Sequence, residues 1–320
     1  MLLQRSIILV ILLGFLFSVI LGPVLIPVLN RIKAGQHIRA DGPQSHLTKQ
    51  GTPTLGGLLF ILSAITATLV MTPFDRSLFL IFFGFLAFGC IGFVDDYIKV
   101  VLKRPLGLQA YQKIILQLVA AGGWIALAME GGLVPETIYI PYVRITVDPG
   151  GLLIPFLVWV MVGTVNSVNL TDGIDGLASG ITVIIGGFFA LVCWHLELKQ
   201  AAWFSGALSG ACLGFLVFNI HPAKVFMGDT GSLAIGGGLS TVAVMSNMTL
   251  LLPVVGGIFF IETLSVIIQV AGYKMTGKRV FKMSPLHHHF ELSGWSEVKV
   301  VTVFWGATVV LCLLGILGIP

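Results

Sequence analysis

Long apolar stretches separated by short polar segments run along almost the whole chain. A helix that crosses a bilayer needs about 20 consecutive apolar residues. By that measure the pattern predicts ten membrane-spanning helices, over residues 6–29, 54–72, 78–97, 110–129, 152–168, 176–195, 201–219, 231–247, 250–273 and 299–319. Several of these stretches are rich in glycine, which permits close helix packing in lipid. The first is too long for the core of a signal peptide and lacks a small-residue cleavage site, so we expect it to be retained.

Residues 131–150, GGLVPETIYIPYVRITVDPG, depart from this pattern. Apolar and polar residues alternate there, and proline and glycine punctuate the segment. Alternation of this kind predicts a short β-hairpin, which we place outside the membrane.

Composition narrows the class of protein further. Of 320 residues, 56% are apolar and 10% are charged, and the mean hydropathy is +1.00. A soluble domain carries about 25% charged residues, so a soluble globular protein is excluded. The four cysteines lie in apolar runs without metal-ligand spacing and predict neither a disulfide framework nor a metal site. We expect an all-α integral membrane protein, with residues 1–320 forming one domain and no nucleic acid as partner.

The positions of the positive charges predict on which side of the membrane each loop lies. Five loops and the helix ends beside them hold all but four of the 18 Lys and Arg residues. These loops are residues 30–53, 98–109, 169–175, 220–230 and 274–298. Since Lys and Arg are retained on the cytoplasmic side, the five loops are predicted to be cytoplasmic and both termini to lie outside.

Polar residues are concentrated in or beside the same loops. They form the segments TKQGTPTLGG (48–57), GFVDDYIK (92–99), NSVNLTDGIDG (166–176), NIHPAKVFMGDTGS (219–232) and SPLHHHFE (284–291). Five polar segments that converge on one face of a helix bundle predict a functional site on the cytoplasmic side.

Asp95 and Asp96 are adjacent carboxylates at the end of an apolar helix, where the helix dipole disfavours negative charge. They project about 100° apart, so we expect that they cannot share one ligand as an i,i+4 pair would. In one interpretation they are interfacial charges, with Asp95 bridged to Lys99; this leaves Asp96 without a partner. In the other, a ligand that carries a cation or a reacting phosphate compensates both.

Three further aspartates each allow two interpretations. Asp175 and Asp229 stand just before predicted helices and could cap them. Alternatively, Asp229 could bind Mg²⁺ beside free helix amides that attract phosphate. For Asp172, with Asn166 and Asn169 nearby, contact with a ligand is favoured over capping.

The histidine and lysine residues offer groups that could bind phosphate. Consecutive histidines cannot all face one metal, so His287–His289 are expected to donate to phosphate or hydroxyl groups, unless the loop is merely solvated. Lysines at a membrane edge are usually anchors for the interface, which is the simpler interpretation of Lys113 and Lys224. Lys49 differs, because a Gly-Thr-Pro-Thr turn follows it closely.

Glu262 is a lone carboxylate within the ninth predicted span, where such a group is usually functional. Pro253, Gly256 and Gly257 precede it and suggest a break in that helix. Glu262 could line a groove for a prenyl chain, or be a structural charge paired across the bundle.

These residue types together favour phosphoryl transfer, which needs little beyond positioning and charge neutralisation. A site at the membrane surface implies that one substrate is a lipid. An ion-coupled transporter is the alternative class, but transporters usually place such groups near the bilayer midplane, and here they lie at its edge.

The same segments resemble the polyprenyl-phosphate N-acetylhexosamine-1-phosphate transferases, from Lys49 to the last span. FVDDYIK is similar to that family's acidic pair with its lysine, NLTDGIDGLA and HPAKVFMGDTGS to its second and third acidic loops, and KQGTPTLGG to its first loop. PLHHHFE resembles the muramoyl-pentapeptide branch rather than the enzymes that use UDP-N-acetylglucosamine, which remain the alternative.

The resemblance implies transfer of phospho-N-acetylmuramoyl-pentapeptide from UDP to undecaprenyl phosphate in the bacterial cytoplasmic membrane, giving lipid I and UMP, with Mg²⁺ and a homodimer. It places Asp229 at the metal and Asp95 and Asp96 at the reacting phosphates. It also implies that the substrates contact Lys49, Thr54, Lys113, Asn166, Asn169, Asp172, Asp175, Asn219, Phe226, His287, His288 and His289.

Overall fold

The computed structural model describes residues 2–31, 51–104 and 106–320. Lys49 therefore lies outside the described residues. The α-helices are α1 (Leu2–Arg31), α2 (Gly57–Met71), α3 (Arg76–Val100), α4 (Ala110–Glu130), α5 (Leu153–Thr171), α6 (Leu177–His195), α7 (Lys199–Asn219), α8 (Gly228–Met245), α9 (Leu252–Val255), α10 (Gly257–Thr276), α11 (Leu286–Glu291) and α12 (Glu297–Ile316). The strands are β1 (Ile138–Ile140) and β2 (Ile145–Val147).

Eight helices in the described part of the chain are long and apolar enough to cross a membrane: α1, α3, α4, α5, α6, α7, α10 and α12. The prediction of a helical membrane protein is thereby confirmed. The predicted spans over 54–72 and 231–247 correspond to α2, which has 15 residues, and to α8. Helix α8 is rich in Gly, Ser and Thr, and all residues from Thr230 to Val244 are buried. A helix enclosed by other helices needs no apolar surface toward lipid, which explains its composition.

The ninth predicted span is broken, as the sequence suggests. Helix α9 ends at Val255, Gly256 follows, and α10 begins at Gly257. The predicted hairpin is also confirmed, since β1 and β2 pair antiparallel with Ile138 opposite Val147.

Glycines allow α8 to pack directly against its neighbours. A Cβ on Gly92 of α3 would overlap the carbonyl oxygen of Asp229, and a Cβ on Gly57 of α2 would overlap Gly231. Backbones therefore meet without intervening side chains, as the glycine-rich pattern predicts. This close approach places the start of α8, which carries Asp229, beside the end of α3.

Candidate active site

Three carboxylates form the centre of the candidate site. Asp95 and Asp96 are buried near the end of α3, and Asp229 lies in the first turn of α8. One oxygen of each lies within 4.8 Å of the other two. The carboxylate oxygens of Asp95 and Asp96 therefore lie closer together than the angle between the two residues on the helix suggests. The angle of about 100° separates their Cα–Cβ bonds, and rotation of the side chains brings the oxygens together.

Two lysines contact this acidic cluster (Asp95, Asp96 and Asp229). Lys99 Nζ lies 2.5 Å from Asp95 Oδ2 and 2.9 Å from Asp229 Oδ2. Lys113 Nζ, from α4, lies 2.7 Å from Asp229 Oδ2 and 3.2 Å from Asp95 Oδ2. The predicted Asp95–Lys99 bridge is confirmed, whereas the interpretation of Lys113 as an interfacial anchor is wrong. With all groups ionised, three carboxylates and two ammonium groups leave one net negative charge.

Asp96 holds the first turn of α8 in place. Its carboxylate accepts hydrogen bonds from Asp229 N (3.2 Å), Thr230 N (2.9 Å) and Thr230 Oγ1 (2.7 Å). Because the first amides of a helix have no partner within it, a carboxylate from another helix can act as their cap. The expectation that Asp96 lacks a partner is therefore wrong.

Asp229 itself is not the cap of α8, which corrects that interpretation. Met227 occupies the cap position, and the Asp229 carboxylate reaches the two lysines and α5 instead. Gly228 has a φ of +72°, and a Cβ there would lie 2.6 Å from both Asp96 Oδ2 and Thr54 Oγ1. Only glycine lets the chain enter α8 so close to Asp96. Thr54, which is buried, therefore lies beside the acidic cluster.

Helix α5 brings one of its two predicted asparagines to the acidic cluster. Asn169 Nδ2 donates to Asp229 Oδ1 (2.8 Å) and to Ser232 Oγ (2.8 Å). Asn166 Nδ2 donates to Gln117 Oε1 of α4 (2.6 Å). Asn169 therefore orients Asp229, while Asn166 links α5 to α4.

The loop after α5 carries Asp172 and Asp175. Asp172 is half-buried, and burial together with the negative charges of Asp229, Asp96 and Asp175 raises its pKa to about 8. Asp175 Oδ2 accepts from Ala223 N (3.1 Å) and lies 3.0 Å from His221 Nδ1.

The start of α6 is organised by Asn219. Gly176, rather than Asp175, occupies the cap position of α6. Asn219 Oδ1 accepts from Gly176 N (3.1 Å) and Ser179 Oγ (2.9 Å), and Nδ2 donates to Val225 O (3.0 Å). Asn219 is buried and both Oδ1 and Nδ2 are hydrogen-bonded, so it shapes the wall of the site.

Phe226 connects two of the predicted polar segments. Its backbone N donates to Pro53 O (2.8 Å), and its carbonyl accepts from Gly56 N (2.9 Å). The phenyl ring is half-buried. These bonds fix the segment around Thr54 to the segment that leads into α8.

The three histidines have different partners. His287 Nδ1 lies 3.2 Å from Glu262 Oε1, His288 Nδ1 lies 2.9 Å from Glu291 Oε2, and His289 Nδ1 accepts from Lys282 N (3.1 Å). The three rings therefore point to different partners, which agrees with the prediction that consecutive histidines cannot all face one metal. They belong to α11, and His287 is fully buried, so the alternative of a solvated loop is wrong. The pairing of Glu262 with His287 supports its interpretation as a structural charge.

The structure thus divides the predicted residues among neighbouring parts of one site. Thr54, Asp95, Asp96, Lys113, Asn169 and Asp229 meet at the start of α8, while Asp175, Asn219 and His287 lie on surrounding segments. Sequence reasoning predicted the bridge from Lys99 to Asp95 but missed the contact of Lys99 with Asp229. It also missed Thr230 and Gln117, for which the sequence offers no signal.

Comparison with known proteins gives relatives along the whole chain. The sequence model of the family described as glycosyl transferase family 4 matches residues 78–247. A phospho-N-acetylmuramoyl-pentapeptide-transferase of Bacillus licheniformis is 51% identical over 318 residues, 98% of each chain. The protein of the same name in Clostridium beijerinckii is 50% identical over 324 residues, 100% of this chain and 98% of the relative. The protein of that name in Bacillus subtilis is 51% identical over 318 residues, 98% of each chain.

Proposed function

The chain belongs to glycosyl transferase family 4, and from this premise we propose that it makes lipid I for peptidoglycan synthesis. In this reaction phospho-N-acetylmuramoyl-pentapeptide passes from its UDP-linked donor to undecaprenyl phosphate, and UMP is released. Relatives with this activity in their names match about half of all positions along nearly the whole chain, which supports this donor over UDP-N-acetylglucosamine.

The contact of Lys99 and Lys113 with the acidic cluster is the observation that carries this proposal. Phosphoryl transfer between two anionic substrates requires positive charge at the phosphates and groups that hold them in line. Both lysines contact the same oxygen of Asp229, so two ammonium groups and a carboxylate lie within a few ångströms of one another. The site therefore contains the positive charge that anionic substrates require.

The acidic cluster also fits Mg²⁺. Its oxygens are the hard ligands that Mg²⁺ prefers, and one negative charge remains after the two lysines are counted. Asp96 bonds to backbone amides of α8, whereas Asp229 and Asp95 bond mainly to flexible lysine side chains, which a cation can displace more easily; Asp229 and Asp95 would therefore hold the ion. Bound there, Mg²⁺ would neutralise charge on the phosphates and on the departing UMP.

We propose direct attack by the lipid phosphate. A phosphate monoester is mostly dianionic at pH 7 and needs no strong base. Its oxygen bonds to the phosphorus that carries the sugar, and the bond from that phosphorus to UMP breaks. Asp95 positions the lipid phosphate and accepts the proton of the minority monoanion, while Lys99 and Lys113 offset the negative charge. A sugar phosphate bound to Asp95 or Asp96 in a reaction quenched without lipid phosphate would overturn this mechanism in favour of a covalent intermediate.

The proposed function is tested by UMP release from purified protein. Undecaprenyl phosphate and Mg²⁺ are supplied with either UDP-N-acetylmuramoyl-pentapeptide or UDP-N-acetylglucosamine, and release is expected with the former alone. Asp229→Asn should lower turnover by about 10²–10³-fold, because it removes the charge that both lysines contact. Glu130→Gln, an exposed change at the far end of α4, should leave turnover unchanged. Release with UDP-N-acetylglucosamine alone would establish the sister activity instead.

We further propose the arrangement in the bacterial membrane. The positive charges support a cytoplasmic site with both termini outside, and α2 and α8 would supply the two crossings beyond the eight long helices. The resemblance to the transferase family supports a homodimer and a single domain over residues 1–320.

A further inference from the structure

Glu262 is a fully buried carboxylate within α10, and among the described residues both hydrogen-bonding contacts of the carboxylate are with His287. Its Oε1 accepts from the backbone N of His287 (3.2 Å) and lies 3.2 Å from Nδ1 of the same residue. A buried carboxylate is unfavourable unless hydrogen bonds compensate it, and His287 supplies both of the contacts to Oε1, while Oε2 has no partner among the described residues.

The two contacts fix the His287 ring in one orientation. The backbone bond holds the first turn of α11, and the ring contact sets the rotation of the side chain. A carboxylate oxygen can only accept, so this contact selects a ring that carries its proton on Nδ1.

The other edge of the ring packs against the loop that carries Asp172 and Asp175. His287 Nε2 is buried and has no hydrogen-bond partner among the residues that the structure describes. A Cβ on Gly173 would overlap Nε2 and would lie 2.7 Å from Cε1. The ring therefore touches the backbone of the loop directly, and Gly173 leaves the space that it fills.

We propose that Glu262 and His287 are positioning residues: Glu262 holds the His287 ring, and the ring sets the backbone position of the loop from Asp172 to Asp175. His287 then makes no contact with substrate, and the half-buried His288 and His289 are the histidines that contact it. The inference rests on the proposed function, because the loop is expected to contact the nucleotide donor.

One test measures the loop without any reaction. Amide hydrogen exchange of residues 171–177 is followed by mass spectrometry on the full chain in detergent, without substrate. Glu262→Leu should speed exchange by at least about tenfold, because the ring loses its anchor. Glu262→Gln should stay near the unmodified protein, since its amide oxygen can still accept. Ser265→Ala serves as control: that hydroxyl is buried nearby in α10, and its one hydrogen bond within the described part of the chain is to the Glu262 carbonyl (2.6 Å). Unchanged exchange in Glu262→Leu would overturn the proposal.

A second test changes the loop side of the contact. Gly173→Ala places a methyl group against the His287 ring and should raise the KM for the nucleotide donor by about ten- to hundredfold, with the KM for lipid phosphate unchanged. Gly163→Ala in α5, where a Cβ meets nothing within 4 Å, should have no effect. In the double variant with His287→Ala, the extra methyl group should add nothing to the defect of His287→Ala alone.

The two tests separate failure of this inference from failure of the proposed function. A normal donor KM in Gly173→Ala, or defects of Gly173→Ala and His287→Ala that add fully, would overturn the positioning role. If neither nucleotide sugar reacts, the proposed function fails, and the exchange measurement still decides whether the pair holds the loop.

Discussion

Adjacent aspartates can have different tasks, and Asp95 and Asp96 show how. Asp95 faces the two lysines and accepts from Leu108 N (2.7 Å), whereas Asp96 binds the first amides of α8. Asp95→Asn should therefore lower turnover by about 10²–10³-fold with little change in melting temperature. Asp96→Ala should destabilise the protein by about 0.5–2 kcal/mol or more, because it removes a helix cap and leaves buried donors unpaired.

Turnover and thermal unfolding of both variants separate these roles. Asp96→Asn retains an acceptor for the amides of α8, so its melting temperature should lie between that of Asp96→Ala and the unmodified protein. Equal destabilisation by Asp95→Asn and Asp96→Ala would contradict this division of tasks.

Asp172 should make the stability of the protein depend on pH. Burial and nearby negative charges raise its pKa from 3.8 to about 8. Between these values the folded protein keeps a proton that the unfolded chain releases, so this contribution to stability is present at low pH and is lost as the pH rises toward 8. Melting temperatures of the unmodified protein and of Asp172→Asn, measured without substrate from about pH 5 to about pH 9, should diverge. The unmodified protein should lose more stability, and parallel curves would contradict the raised pKa.

At the scale of helices and strands, hydrophobic periodicity predicted the position of most elements along the chain, but it did not predict which elements pack against one another. The hairpin of β1 and β2 and the break at Gly256 follow from alternation and from Pro and Gly, which are local signals. The complete burial of α8 is not local, because it depends on which helices surround it. For the same reason the sequence suggested capping by Asp229, while the actual cap, Asp96, comes from a helix that is distant in sequence.

The contact between α3 and α8 sets the geometry of the acidic cluster. Gly92→Ala would force a methyl group against the backbone at Asp229 and Thr230 and separate the two helices. Because a displacement of about 1 Å at reacting groups can reduce the rate about 100-fold, turnover should fall by about that factor. Gly123→Ala, in α4, provides the matched control, since a Cβ there meets nothing within 4 Å. Full activity of Gly92→Ala would show that the contact between the two helices does not set this geometry.

At the scale of the whole molecule, the distribution of polar and charged residues predicted that five segments converge on one site, and the structure brings most of them together. Four of the five polar segments bring side chains to one region, because the segment before α2 and the polar ends of α3, α5 and α8 meet there. The remaining difference lies in roles: Asn166, Asn219 and His287 were predicted to contact substrate, and the structure gives each of them a protein partner. Residue type and spacing indicate where polar groups collect, whereas hydrogen-bond partners depend on the packed structure.

The orientation in the membrane can be tested with single cysteines. Leu106, on the loop between α3 and α4, is 76% exposed, and Val143, in the hairpin, is 63% exposed. Because Cys90 is exposed, both changes are made together with Cys90→Ala. A maleimide that cannot cross membranes should label Val143→Cys in intact cells and Leu106→Cys only after permeabilisation, since positively charged loops stay in the cytoplasm. Labelling of Leu106→Cys in intact cells, with Val143→Cys protected, would place the acidic cluster outside and contradict the use of a cytoplasmic nucleotide donor.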